Sequence, residues 1–214
     1  MSIRLPLVYP VTDKTLSGKT SHLAILRELV RGGATLVQIR DKQTPPAEYL
    51  HDLRRCVEFA AGRGVTLIVN DRCDLALACG AAGVHLGQDD LPPRSARTLL
   101  PAGAVIGFST HSLAQVRSAS RLPVDYLGFG PVFPTSSKDD ASPVVGLSLL
   151  EKACRRAAQP VVAIGGIGCH EVAAVLEAGA ASAAVVSVLM RAPRIAHAME
   201  RLLLAAQSAG ANRS

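Results

Sequence analysis

The sequence predicts an α/β protein, a single-domain (β/α)8 TIM barrel, and three observations predict it. Short Val/Ile/Leu-rich runs alternate with stretches of helical period eight times along the chain. The length, 214 residues, suits one barrel, whose usual range is roughly 200 to 250 residues. The first apolar run ends Val11-Thr12-Asp13 with no glycine fingerprint behind it, which argues against a doubly wound dinucleotide-binding sheet.

Eight runs read as strands: Leu7 to Val11, Leu36 to Ile39, Leu67 to Val69, Gly83 to Leu86, Val105 to Phe108, Tyr126 to Phe129, Val161 to Ile164 and Ala183 to Val186. Between them, Ser21 to Arg31, Pro46 to Arg63 and His170 to Ala178 carry apolar residues at three- and four-residue steps beside charged ones, the mark of helices laid on a sheet. Gly32-Gly33, Gly62, Gly80 and Gly179 follow such stretches, where a left-handed cap is easiest without a Cβ. The last helix reads from about Pro193 to Ala206. No composition break divides residues 1–207, the expected barrel, and residues 208–214 read as a flexible tail of small and polar side chains.

Composition narrows the function. Hydrophobic residues are 49% of the chain and charged ones 19%, which excludes disorder as the default, and with aromatics at 3% the core must be aliphatic. A chain of this length buries on the order of 70% of its unfolded surface, so neither disulfide nor structural metal is required. The cysteines, Cys56, Cys73, Cys79, Cys154 and Cys169, show no CxxC spacing and read as buried residues of a reducing compartment. No apolar run reaches membrane-spanning length, and Met1 to Thr12 lacks a leader pattern, so the expectation is a cytoplasmic protein with no membrane partner. The net charge of +6 comes from scattered basic residues, with three Tyr, four Phe and no Trp. That pattern suits an anionic small molecule better than nucleic acid. Self-association as a homo-oligomer stays open.

In a barrel the βα loops converge at one mouth, and chemistry belongs there. The second strand runs into Gln38, Arg40 and Lys42, alternate positions that share one face if the strand continues that far, and that read either as a phosphate site or as a solvated strand exit with a chance Lys/Arg pair. The third ends Val69-Asn70-Asp71 and the fourth His85-Leu86-Gly87-Gln88-Asp89-Asp90. Asp71, with Asp74 as a capping box, and Asp90 can each be read as marking a helix start; alternatively Asp71 and the Asp89/Asp90 pair, on adjacent points of one rim, read as ligands of Mg²⁺, which takes one or two carboxylates plus substrate phosphates. Ser109, ending the fifth strand, is either a ligand hydroxyl or a cap. The sixth leads into the longest loop, where Thr135, Ser136, Ser137 and Lys138 supply hydroxyls and a cation, in a binding loop or an ordinary turn. Gly165 and Gly166 after the seventh strand, and Ser187 after the eighth, occupy the place where barrels frequently bind phosphate, the alternative for the glycines being a packing or turn role. His85, His111 and His170 have no metal-ligand spacing, and no nucleophile stands beside a base.

Five stretches, taken in order, resemble the thiamine-phosphate synthase family over essentially the whole chain. They are Gln38-Ile39-Arg40-Asp41-Lys42, Val69-Asn70-Asp71-Arg72, Gly83 to Pro92, Gly130 to Lys138 and Ala163-Ile164-Gly165-Gly166-Ile167. The resemblance implies a transferase that joins 4-amino-2-methyl-5-hydroxymethylpyrimidine diphosphate to 4-methyl-5-(2-phosphoethyl)thiazole, giving thiamine phosphate and pyrophosphate through a pyrimidine-methyl cation. It also implies that the Gln38–Lys42 stretch, Ile39 and Asp41 included, with Asn70 and Lys138, holds the pyrimidine diphosphate. Ser109 would sit by the pyrimidine and leaving group, and Asp71 and Asp90 would hold Mg²⁺. Thr135, Ser136, Ser137, Gly166, Val186 and Ser187 would line the thiazole-phosphate pocket, with Arg40, Lys42, Ser109 and Lys138 acting in catalysis.

The chain departs from the family pattern at Ser137, where Thr is common, at Gly168-Cys169 in place of an Asn-containing turn, and at Cys73 in place of an aliphatic residue. Two rivals share the barrel. A thiazole tautomerase relative would lack the paired acids and carry a catalytic histidine in the sixth loop, where this chain has Pro131. A noncatalytic phosphate-ligand sensor would bind without releasing pyrophosphate.

Overall fold

A computed structural model describes residues 3–135 and 143–211, with the backbone alone for 209–211. Eight parallel strands, β1 (Val8–Pro10), β2 (Leu36–Ile39), β3 (Thr66–Asn70), β4 (Gly83–Leu86), β5 (Val105–Thr110), β6 (Tyr126–Phe129), β7 (Val161–Ile164) and β8 (Ser182–Val185), form one sheet in which β1 lies beside β8. The seam between β1 and β2 is closed by a parallel bridge of Val11 with Gln38, where the Thr12 N–H donates to the Gln38 carbonyl at 2.8 Å. The fold is therefore a nearly closed (β/α)8 barrel, as the alternation predicts.

Around it run α1 (Lys14–Ser17), α2 (His22–Arg31), α3 (Pro46–Ala60), α4 (Cys73–Cys79), α5 (Pro93–Leu99), α6 (Leu113–Ala119), α7 (Gly146–Arg156), α8 (Val172–Glu177), α9 (Ser187–Met190) and α10 (Ile195–Ala211). Ser21 begins α2 because its hydroxyl accepts the Ala24 N–H at 3.2 Å. Elsewhere the boundaries differ from the pattern reading. β5 continues past Phe108 because Ser109 and Thr110 pair with Gly128 and Phe129 of β6. Val186 leaves β8 to cap α9. α3 stops at Ala60 rather than Arg63, ahead of left-handed Gly62 and Gly64. α8 starts at Val172, not His170, because the Glu171 carboxylate accepts the Gly168 N–H at 3.0 Å and closes a turn there. α10 continues beyond Ala206 to Ala211, since Ala205, Ala206 and Ala209 are strong helix formers.

The period of two sorts each strand's side chains into two apolar layers. Val37, Ile39, Val69, Val84 and Ile106 face outward against the helices, while Tyr9, Val11, Leu36, Ile68, Tyr126, Val162 and Ala184 fill the barrel. Ile3 and Leu5, just ahead of β1, pack on that inner cluster. Ile68 is fully buried, so truncation to Ala there would cost about 2–5 kcal/mol through lost transfer energy and a cavity. Toward the strands' C-terminal ends the inward positions turn polar, through Gln38, Asn70, His85 and Ser109. There the aliphatic filling gives way to an open cavity.

Candidate active site

The cavity has a volume of about 890 Å³ and is lined from all eight strand ends. Of the residues expected at the site, Gln38, Arg40, Asp41, Lys42, Asn70, Asp71, Asp90, Ser109, Thr135, Gly166, Val186 and Ser187 line it. Ile39 does not, because the strand alternation turns its side chain into the fully buried layer between sheet and helices. Ser136, Ser137 and Lys138 lie outside the described residues.

Each cation at the β2 exit is held by a carboxylate. Arg40 donates from Nη1 to Asp13 Oδ2 at 2.9 Å, and its backbone N–H donates to Thr12 Oγ1 at 3.1 Å. Asp13 also caps α1, accepting the Leu16 N–H at 3.0 Å. Asp41 lines the cavity, but its carboxylate hydrogen bonds go to its own turn and to His22. Burial works against its charge, but hydrogen bonds from the Thr44 hydroxyl, the Thr44 and Gln43 N–H groups and His22 overcome that and hold its carboxyl well below the usual carboxylate range. His22 is buried, and burial pushes its pKa down despite Asp41 at 3.1 Å. A neutral ring then donates from Nε2 to Asp41 and accepts at Nδ1 from Thr12, 2.9 Å away, so a continuous set of bonds backs the Arg40–Lys42 loop.

The acids pair. Asp71 follows β3 with φ at +62°, a left-handed backbone that Asp tolerates better than most residues, and it does not cap a helix. α4 begins at Cys73, its N-cap Arg72 makes no side-chain cap bond, and Asp74 is held by the Arg72 guanidinium at 2.6 and 2.9 Å. Asp90 does not cap α5 either; its Oδ2 accepts the Gly87 N–H at 2.6 Å, folding the β4 exit so that its carboxyl faces Asp71. Burial, and then Asp90, push the Asp71 pKa up, while Lys42 Nζ at 3.3 Å partly offsets them. Such a pair carries more negative charge than one half-exposed lysine relieves. Two carboxylates of this kind fit Mg²⁺, an ion commonly held by one or two carboxylates together with substrate phosphates and water.

Ser109 is not a cap: α6 is capped by Ser112, whose hydroxyl accepts the Gln115 N–H at 3.2 Å. Its Oγ instead lies 2.8 Å from His85 Nε2, whose Nδ1 lies 3.0 Å from the Tyr126 hydroxyl. Across the mouth, Gly165 and Gly166 have φ of +99° and +67°, and a Cβ on Gly166 would lie 2.5 Å from the Pro134 carbonyl oxygen. The bare backbone lets these loops close together.

Reading by motif overlooked Asp13, His22, Tyr9, His85 and Tyr126. The period of two offered a signal for His85 and Tyr126, which sit on the inward face of their strands, at the same level as Gly107.

A nearly closed barrel with cations, paired acids and a held hydroxyl gathered at its C-terminal mouth is a (β/α)8-barrel enzyme. A family model described as thiamine monophosphate synthase matches residues 8–189, and the chain belongs to that family, a transferase of thiamine biosynthesis. It is 43% identical over 183 residues to thiamine-phosphate synthase of Desulfitobacterium hafniense strain Y51, covering 86% of this chain and 88% of that one. With the thiamine-phosphate synthase of Shouchella clausii it shares 38% over 202 residues, 94% and 97% of the two chains. The solved thiamine phosphate pyrophosphorylase from Pyrococcus furiosus superposes with a TM-score of 0.85 at 35% identity, over 94% of this chain and 96% of that one. The N-(5'-phosphoribosyl)anthranilate isomerase from Pyrococcus furiosus, at 14% identity and a TM-score of 0.68, shares the fold alone.

Proposed function

We propose that this enzyme joins 4-amino-2-methyl-5-hydroxymethylpyrimidine diphosphate to 4-methyl-5-(2-phosphoethyl)thiazole, forming thiamine phosphate and releasing pyrophosphate. The observation that carries the reading is the Asp71–Asp90 pair beside Lys42, on the same mouth as Arg40. Gln38, Arg40, Lys42 and Asn70, with Lys138 of the sixth loop, bind the pyrimidine diphosphate; Asp71 and Asp90 are the residues that would hold Mg²⁺. When bound, that ion supplies positive charge to the diphosphate oxygens.

Arg40 and Lys42 take up the negative charge that grows as the C–O bond to diphosphate breaks, so their interaction strengthens toward the transition state. Asp13 presents the Arg40 guanidinium in a set direction. Ser109 donates a hydrogen bond beside the leaving group. Gly166, Thr135, Val186 and Ser187 bind the thiazole phosphate, with Ser136 and Ser137 of the sixth loop, and place the ring nitrogen to attack the pyrimidine-methyl carbon; proximity replaces a bimolecular encounter. Closing the mouth keeps water from trapping the cation.

Incubating the protein with both substrates, with and without Mg²⁺, while following pyrophosphate and thiamine phosphate together, tests the reading. The expected result is equal amounts of both products, dependent on Mg²⁺. Binding without either product would defeat it and favour a sensor; isomerisation of a thiazole without pyrophosphate would favour a tautomerase.

A further inference from the structure

Behind Ser109 a line of side chains crosses the barrel interior. Gln38 Nε2 donates to the Tyr9 hydroxyl at 3.4 Å, Tyr9 and Tyr126 hydroxyls are 3.0 Å apart, Tyr126 is 3.0 Å from His85 Nδ1, and His85 Nε2 is 2.8 Å from Ser109 Oγ. The barrel wall makes room for it. His85, Gly107 and Tyr126 sit level on β4, β5 and β6, and a Cβ on Gly107 would lie 2.2 Å from Tyr126 Cζ and 2.5 Å from His85 Nδ1.

We infer that this line makes His85 a positioning residue, held as its Nε2–H tautomer, so that the Ser109 hydroxyl accepts from His85 and donates into the cavity. The direction follows from proton counting. Tyr9 is 1% exposed and already accepts from Gln38, so the acceptor within reach of its own proton is Tyr126. Tyr126 then donates to His85 Nδ1, which leaves the ring proton on Nε2 facing Ser109. Burial raises the pKa of both tyrosines, Tyr9 to about 12, so both hydroxyls keep their protons at neutral pH. A Ser and a His at 2.8 Å would ordinarily suggest a nucleophile and its base. Here the imidazole nitrogen facing Ser109 carries a proton and cannot take another, so Ser109 stays a neutral donor to a leaving group and does not become an alkoxide that would capture the carbon cation. The role of that donor rests on the proposed synthase reaction.

The test is the tautomer. In the full-length protein labelled with ¹⁵N-histidine, with His85 assigned through its backbone, the expected spectrum shows Nε2 protonated and Nδ1 bare; a proton on Nδ1 overturns the inference without any variant. Tyr126→Phe should populate both tautomers and lower kcat by roughly 10- to 100-fold, the range for losing a supporting partner, with KM for the pyrimidine diphosphate little changed. Unchanged kcat, or a loss confined to KM, also overturns it. A fluorophosphonate serine probe should leave Ser109 unlabelled, and labelling there contradicts it. The wrong tautomer with both products still formed would sink this inference alone; the right tautomer with no product would sink the synthase reading and leave the relay standing.

Discussion

The Asp71 carboxyl faces that of Asp90 across the exits of β3 and β4, with Lys42 Nζ 3.3 Å from Asp71 Oδ2. Burial and the neighbouring acid raise the Asp71 pKa, so the folded state holds that proton more tightly than the unfolded chain does. Stability contributed this way is present below the unfolded carboxylate value and is lost as pH rises through the folded one. At neutral pH and without divalent metal, Asp71→Asn should therefore raise Tm, by roughly 2–4 °C if the relief is about 1 kcal/mol. Asn also tolerates the left-handed backbone at this position. The same variant should lower turnover by about 100-fold or more, as loss of electrostatic stabilisation does. Added Mg²⁺ should raise the Tm of the unsubstituted protein and leave that of the variant in place. A variant that is less stable in EDTA, or that still responds to Mg²⁺, would refute the pairing.

Asp13→Asn separates two roles of one side chain. Asn still caps α1, where Asp13 accepts the Leu16 N–H, but it no longer offers a carboxylate to Arg40 Nη1 at 2.9 Å. The guanidinium keeps its charge and loses its direction. The expected effect is a decrease of roughly 3- to 10-fold in kcat/KM for the pyrimidine diphosphate, corresponding to about 1 kcal/mol, with Tm nearly unchanged. Steady-state kinetics beside a thermal melt would check it, and a large Tm loss with unchanged kinetics would show that the cap matters and the ion pair does not.

How far the mouth was legible in the sequence follows from what each signal reports. Strand exits carry their chemistry in a few consecutive residues, so alternation puts Gln38, Arg40, Asp71 and the Asp89/Asp90 pair on one rim, while the site roles of Asn70 and of Asp90 rather than Asp89 come with the family resemblance; all of them line the cavity. Ile39 and Asp41 entered through a contiguous motif. The strand period then sends Ile39 outward, and the hydrogen bonds of Asp41 go to its own turn and to His22. The inward face of Tyr126 was legible from the period of two, but the roles of Asp13, His22, Tyr9 and Tyr126 were not, because they depend on partners in other segments. Tyr9 and Tyr126 are 117 positions apart and meet only when the barrel closes. Helix ends were read least well where the deciding hydrogen bond came from a side chain, as with Glu171 ahead of α8.

His22 makes stability depend on acid. Burial lowers its folded pKa, so below the unfolded value, about 6.5, the unfolded chain binds the proton that the folded ring refuses, and stability falls as pH drops from there. A single site contributes at most about 1.4 kcal/mol per pH unit. His22→Gln should flatten the slope of unfolding free energy between about pH 6.5 and 5, while costing roughly 1–3 kcal/mol at pH 8 through the lost bonds to Thr12 and Asp41. Urea titrations at several pH values measure both. An unaltered slope would mean that His22 does not titrate on unfolding.

Gly166 should discriminate between the two substrates. Its φ of +67° disfavours any side chain, and a Cβ would lie 2.5 Å from the Pro134 carbonyl oxygen and 2.7 Å from Phe133 Cβ. Gly166→Ala must therefore push the loop after β7 away from the start of the sixth loop, on the side of the cavity where Thr135 and Ser187 stand. The Arg40, Lys42 and Asp71 side lies on β2 and β3, across the barrel, and is not displaced. We expect KM for the thiazole phosphate to rise about 10- to 100-fold, corresponding to about 1.4–2.8 kcal/mol, while the pyrimidine diphosphate still binds within about 3-fold of its original affinity. Isothermal titration with each substrate separately, alongside initial rates, would measure the two. Equal weakening of both would mean that the glycine serves the whole mouth and that no separate thiazole-phosphate pocket exists at that position.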